Sequence, residues 1–273
     1  MRFRSLAINL GAIAAFAAIV LSLQLPKLNQ RLSGQTLEDT RKAVREEEAR
    51  LKVIRQLPSR GLGFNNMIAN FTFLQFLQYF GDDTARNSFQ TGYSLSPRYF
   101  ENIIDRDPRF VNGYLYMSAS VSMFAGVPSQ AIAIYDHGLR SLDPTKQPTA
   151  YTVWRRKATD QLLFLGDAKG ARESYLKAAE WVEQTKATDK LLEDPQVIAQ
   201  KSRESAKWLE ENRDLRKAQI GAWTIVLQSA VDKKTVETVA QELDKLGMKI
   251  EIKDGQSIIV PKDILQKNVL QKN

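Results

Sequence analysis

Residues 114–139 and 154–179 carry one pattern written twice, about forty residues apart. The first copy reads YLYMSASVSMFAGVPSQAIAIYDHGL and the second WRRKATDQLLFLGDAKGARESYLKAA. Tyr114 aligns with Trp154, Gly126 with Gly166, Ala131 with Ala171, Tyr135 with Tyr175, and Gly138 with Ala178. Self-similarity at this period is the signature of a fold built by stacking one small unit. The expected unit is a helix, a glycine-centred turn and a second helix. The glycine can take the left-handed backbone that ends the first helix. Small residues at 131, 138, 171 and 178 let the paired helices approach, and the aromatic at 135 or 175 fills the gap between neighbouring pairs.

This arrangement resembles the tetratricopeptide repeat. The segment LFLGDAKGARESYLKAA matches that pattern best, and GVPSQAIAIYDHGLRSLDP follows it with its Asp143-Pro144 ending one residue late. A degenerate earlier copy pairs FTFLQFLQYFGDD with SPRYFENIIDRDP, interrupted by an insertion at residues 84–95. Phe100, Ile103 and Pro108 keep the family spacing there, without the small residue before them. A further helix pair falls between Asp194 and Ala230. The resemblance thus spans residues 62–231 and implies an α-solenoid of about 3–4 helix pairs. Taken whole, the chain also resembles membrane-anchored cyanobacterial proteins with a tetratricopeptide-like body.

Ahead of the repeats lies MRFRSLAINLGAIAAFAAIVLSLQLPKLNQ, apolar from Leu6 to Leu25. About twenty such residues suffice to cross a bilayer as a helix. Ala15-Phe16-Ala17 has the small-x-small form of a leader cleavage site, but Ile19, Val20 and Leu21 still follow it. An uncleaved anchor over residues 1–26 is the expectation, and an exported soluble protein with a cleaved leader is the alternative. Arg2 and Arg4 favour an N-terminus on the cytoplasmic side, with the body on the exported side; Lys27 and Arg31 weaken that orientation. A linker and an amphipathic helix follow over residues 27–61. Thr36 and Asp39 have the spacing that closes a helix start, and Val44, Leu51 and Ile54 form a thin apolar stripe.

The stretch from Gly61 to Gly81 contains no charged residue. Asn65, Asn66, Asn70, Gln75 and Gln78 point in nearly every direction around a helix, which argues against a second membrane span. Its apolar residues form two opposed stripes. Phe64, Met67, Phe71 and Leu74 make one; Ala69, Phe73, Phe76, Leu77 and Phe80 make the other. A helix apolar on two sides is covered on two sides.

The C-terminal part changes character. Val236, Val239, Ala240, Leu243 and Leu246 lie on one face of a helix that Gly247 stops. MKIEIKDGQSIIVP then reads as a hairpin around Asp254-Gly255. Residues 232–262 are therefore a helix plus β-hairpin, and 263–273 a tail. The fold class expected overall is mainly α.

Chemical motifs are sparse. The chain has no cysteine and one histidine, His137, so thiolate chemistry and disulfides are excluded. No glycine-rich loop follows a strand. Asp82-Asp83 and Glu193-Asp194 sit at helix starts, where the helix dipole alone favours carboxylates. The net charge of +8 gathers around the apolar N-terminus and fits a membrane surface better than nucleic acid. No catalytic residue, metal site or cofactor is expected, and an enzyme with an unrecognised site is the least favoured reading.

What remains is binding. The tetratricopeptide resemblance implies that the first helix of each pair lines a groove for a protein segment. Counted back from the turn glycines, the implied groove residues are Phe71, Gln75 and Gln78, then Tyr116, Ser120 and Met123, then Arg156 and Asp160. The protein's own helix over residues 40–57 is the competing occupant. The expected function is a membrane-anchored scaffold for a protein partner in a thylakoid or plasma membrane, assisting assembly or maintenance of a membrane complex.

Overall fold

The computed structural model describes residues 36–57, 63–186, 191, 193–253 and 256–262, with seven helical, exposed positions between Ala15 and Leu25. The rest of the expected anchor, the Asp254-Gly255 turn and the tail lie outside the described residues. Among the described residues, no helix is long and apolar enough to cross a membrane. The protein is mainly helical, with one two-stranded sheet near its C-terminus. It forms two units, Met1–Glu47 and Glu48–Asn273.

In the first unit, helix α1 (Leu37–Gln56) begins. Thr36 Oγ1 accepts from the Asp39 amide and Asp39 Oδ2 accepts from the Thr36 amide, both at 3.1 Å. This reciprocal box satisfies two groups that a helix start leaves free.

In the second unit, the end of α1 is tied to α3 (Ser96–Arg106). Leu51 and Ile54 are buried. Arg106 donates to the carbonyls of Ile54 and Leu57, each at 2.6 Å, and Asn102 donates to the Leu51 carbonyl at 3.2 Å. The carbonyls of a last helical turn have no partner within the helix, so a buried guanidinium there caps the helix and opposes the negative end of its dipole. Glu48–Arg98 and Arg55–Glu101 ion pairs flank the contact.

Helix α2 (Asn65–Phe80) packs on α3 through Phe76, which meets the edges of Phe100 at 4.7 Å and Tyr99 at 5.8 Å. Between them, Arg86 is buried with its guanidinium over the rings of Tyr79 and Tyr93, at 4.3 and 4.8 Å. It donates to the Tyr79 carbonyl at 2.5 Å. Cation–π contact, the Tyr79 carbonyl and the Thr91 hydroxyl hold this charge. Burial pushes the Tyr79 phenol up to about 12.

The two repeat copies share one build. Helix α4 (Val111–Met117) runs on as a wide π turn over Ser118–Phe124, then α5 (Pro128–Leu139) returns. Helix α6 (Tyr151–Asp160) runs on as a π turn over Gln161–Leu165, then α7 (Ala168–Glu183) returns. Gly126 and Gly166 take φ of 65° and 64°, the left-handed conformation expected of them. Gly81 does not, with φ −88°, so the earlier copy turns differently. Gly138 is small for a direct reason: a Cβ there would overlap the phenol oxygen of Tyr114, which donates to the Pro108 carbonyl at 2.8 Å. Ala131, Ala171 and Ala178 are fully buried.

Helix α8 (Pro195–Glu211) packs on α7, and α9 (Arg216–Ser229) on the π turns that end α4 and α6. Helix α10 (Lys233–Lys245) packs on α9 and on strand β1 (Met248–Lys253), which pairs antiparallel with β2 (Gln256–Pro261). Ile250 opposes Ile259, and both join the core around Trp223, Val226, Val239 and Leu243. A hairpin alone is marginal in water; this one has a helix beneath it.

Candidate functional site

The face presented by the first helix of each pair divides the expected groove residues sharply. Phe71, Gln78, Tyr116 and Arg156 are exposed. Gln75 and Met123 are half-buried, and Ser120 and Asp160 are buried. A buried side chain cannot meet a partner, so Ser120 and Asp160 do not line a groove. The π turns supply the cause. An i→i+5 turn holds an extra residue, so counting back from the glycine at helical spacing rotates the chosen positions off the face. Ala125 bonds back to Ser120 and Gly166 to Gln161, both across five residues.

Asp160 instead sits in the seam between the two repeat copies. It accepts from Ser118 Oγ and Ser122 Oγ, each at 2.5 Å. Burial raises its pKa from 3.8 to about 6; the two serine hydrogen bonds and Arg156 act the other way and are outweighed. Tyr135, fully buried alongside, is pushed well above 10 chiefly by burial, and the Asp160 charge adds to this. Asp160 is thus a cross-link between neighbouring units, and sequence spacing had placed it at a surface.

The far end of the same face is filled by the chain itself, through α9. Trp223 of α9 is buried and meets Phe164 edge-on at 5.7 Å. Gln219 lies against Gly166 and donates to the Phe164 carbonyl at 3.5 Å. Met123 packs against this cluster. Residues 48–57 of α1, part of the competing occupant, are held by α3, and Phe71 is exposed.

Beside α9 lies a cavity of about 590 Å3, walled by Phe164, Trp223, Gln219 and the turn at Gly126. Its rim carries Glu242 and Lys245, paired at 2.6 Å. Asp160 is not among its lining residues. Among the described residues, no group of three or more histidines or acids could hold a metal. His137, Asp194 and Asp82 have structural partners. His137 meets Asp105 at 2.8 Å, Asp194 caps α8 by accepting from the Gln196 amide, and Asp82 accepts from the Ala85 amide. Lys157 pairs with Asp136 at 2.6 Å. Trp223 is core, Trp181 meets Trp154 edge-on, and Trp208 is exposed.

At the near end, Tyr116 is exposed and packs edge-on to Phe73 of α2 at 5.2 Å. Tyr116 and Arg156 are equivalent positions of the repeat, so α4 and α6 present them in the same register. Compared with known protein families, characterised proteins and solved structures, the chain matches none.

Proposed function

We propose that the chain is a membrane-anchored scaffold whose helix pairs form a tetratricopeptide-type solenoid and hold another protein at the membrane. The observation that carries this reading is the pair Tyr116 and Arg156: repeat-equivalent side chains left exposed on consecutive first helices. Stacked repeats recognise partners through such rows of equivalent positions. The filling of the far end by α9 limits the partner's surface to the part of the face between α2 and α6. The apolar run from Leu6 to Leu25 supports the anchor, and Phe16, Leu21 and Leu25 within it are exposed. The resemblance to membrane-anchored cyanobacterial proteins makes assembly or upkeep of a thylakoid or plasma-membrane complex the natural setting. A photo-crosslinking residue replacing Tyr116, irradiated in native membranes, should give a discrete protein adduct that the same residue at exposed Val197 does not. Identical adduct patterns at both positions, or no adduct at 116, would refute the reading.

A further inference from the structure

Helix α2 carries an apolar stripe that includes Phe71, an implied groove residue, yet meets Tyr116 through Phe73 instead. Phe64, Met67, Phe71 and Leu74 are 54, 62, 57 and 58% exposed. At about 100° per residue, these four fall on the side of the helix opposite Ala69 and Phe76, which are fully buried. Phe73, which reaches Tyr116 and Phe110, is also well away from them. The stripe therefore faces outward, apart from the row that contains Tyr116. Four large apolar side chains in line, on a stretch with no charge from Gly61 to Gly81, are not an ordinary solvated face.

We propose that this stripe seats in the interfacial layer of a phospholipid bilayer, so that the body lies down on the membrane to which it is tethered. The inference rests on the membrane attachment proposed above. Only 38 residues separate Leu25 from Phe64, and twenty of them form α1, about 30 Å long at 1.5 Å per residue. The tether thus keeps the bilayer within reach of α2 at all times, whereas any protein occupant must first arrive. A helix of sixteen residues, about 24 Å long, can lie flat and sink one apolar face into the headgroup boundary. The amide of Asn70 lies at its edge, and exposed Gln78 continues its line at the end of the helix. Residues 1–63 carry eleven basic and five acidic side chains, an excess that favours attraction to anionic headgroups.

The chain has no cysteine, so one can be introduced and labelled with an environment-sensitive fluorophore. Full-length Phe71→Cys and Val20→Cys proteins are reconstituted into vesicles of phosphatidylcholine and phosphatidylglycerol. Each is quenched in turn by aqueous iodide and by nitroxide lipids carrying a shallow spin label. The expected result is blue-shifted emission at position 71, with quenching by the shallow lipid label and loss of iodide quenching. Iodide quenching at 71 while position 20 is lipid-quenched overturns the inference and leaves the anchor standing. Lipid quenching at 71 without it at 20 upholds the inference and removes the anchor. Protection of position 71 from both quenchers means that protein covers the stripe, and it overturns the inference.

Discussion

Replacing Asp160 by asparagine should stabilise the protein at neutral pH and leave it almost unchanged near pH 4. The carboxyl is buried between α4 and α6, accepting from Ser118 and Ser122. Burial lifts its pKa from 3.8 to about 6. The folded state therefore holds this proton more tightly than the unfolded state does. The stability linked to that proton is fully present below pH 3.8 and is lost as pH rises through about 6. A shift of this size, at about 1.4 kcal/mol per unit, corresponds to about 3 kcal/mol. Asparagine resembles the protonated acid: its carbonyl can accept from one serine, and its amide can donate to the other once that hydroxyl turns. It loses the charge-assisted strength of the native bonds, so the gain at pH 7.5 should fall somewhat short of about 3 kcal/mol. Urea unfolding of the full chain in a nonionic detergent, followed by far-UV circular dichroism from pH 4 to 7.5, reads this directly. The difference between variant and native protein should grow with pH, mostly between pH 4 and 6. A difference that stays flat within about 0.5 kcal/mol, well below the effect derived from the shift, would refute the argument that Asp160 titrates in the folded seam.

Four further outcomes follow from packing. Gly138→Ala places a methyl group against the Tyr114 hydroxyl and should cost about 1–3 kcal/mol as overpacking, measured by the same urea transitions. Gly166→Ala strains a left-handed turn and presses on Gln219; a stability loss of about 1 kcal/mol or more is expected, read as a lowered thermal midpoint. Trp223→Ala empties the centre of the C-terminal core and should cost about 3–5 kcal/mol, with faster amide exchange in α10 and the hairpin. Arg106→Ala removes the donor to the carbonyls of Ile54 and Leu57; amide exchange in residues 48–57 should rise well before the rest of the chain opens.

The repeat, the turn glycines and the helix pairs were legible because each depends on residues close together in sequence. Gly126 and Gly166 could be placed in left-handed turns from their spacing alone, and Ala131, Ala171 and Ala178 at close contacts. The Thr36–Asp39 box was equally local. The two opposed stripes of α2 were also readable, since helical period alone separates Phe71 from Phe76. Periodicity could not reveal the π turns. One extra residue in a turn leaves no mark on composition, yet it carries Asp160 from an expected surface into a seam, where Ser118 and Ser122 donate to it. Nor could it say which helix fills the far end of the face. Both α1 and α9 are long enough, and the choice rests on contacts distant in sequence. Trp223 reaches Phe164 across 59 residues, while Arg106 holds the end of α1 elsewhere. Residues 48–57 of α1 are held on α3 and α9 packs on the π turns, and Phe64, Met67, Phe71 and Leu74 stay exposed on α2.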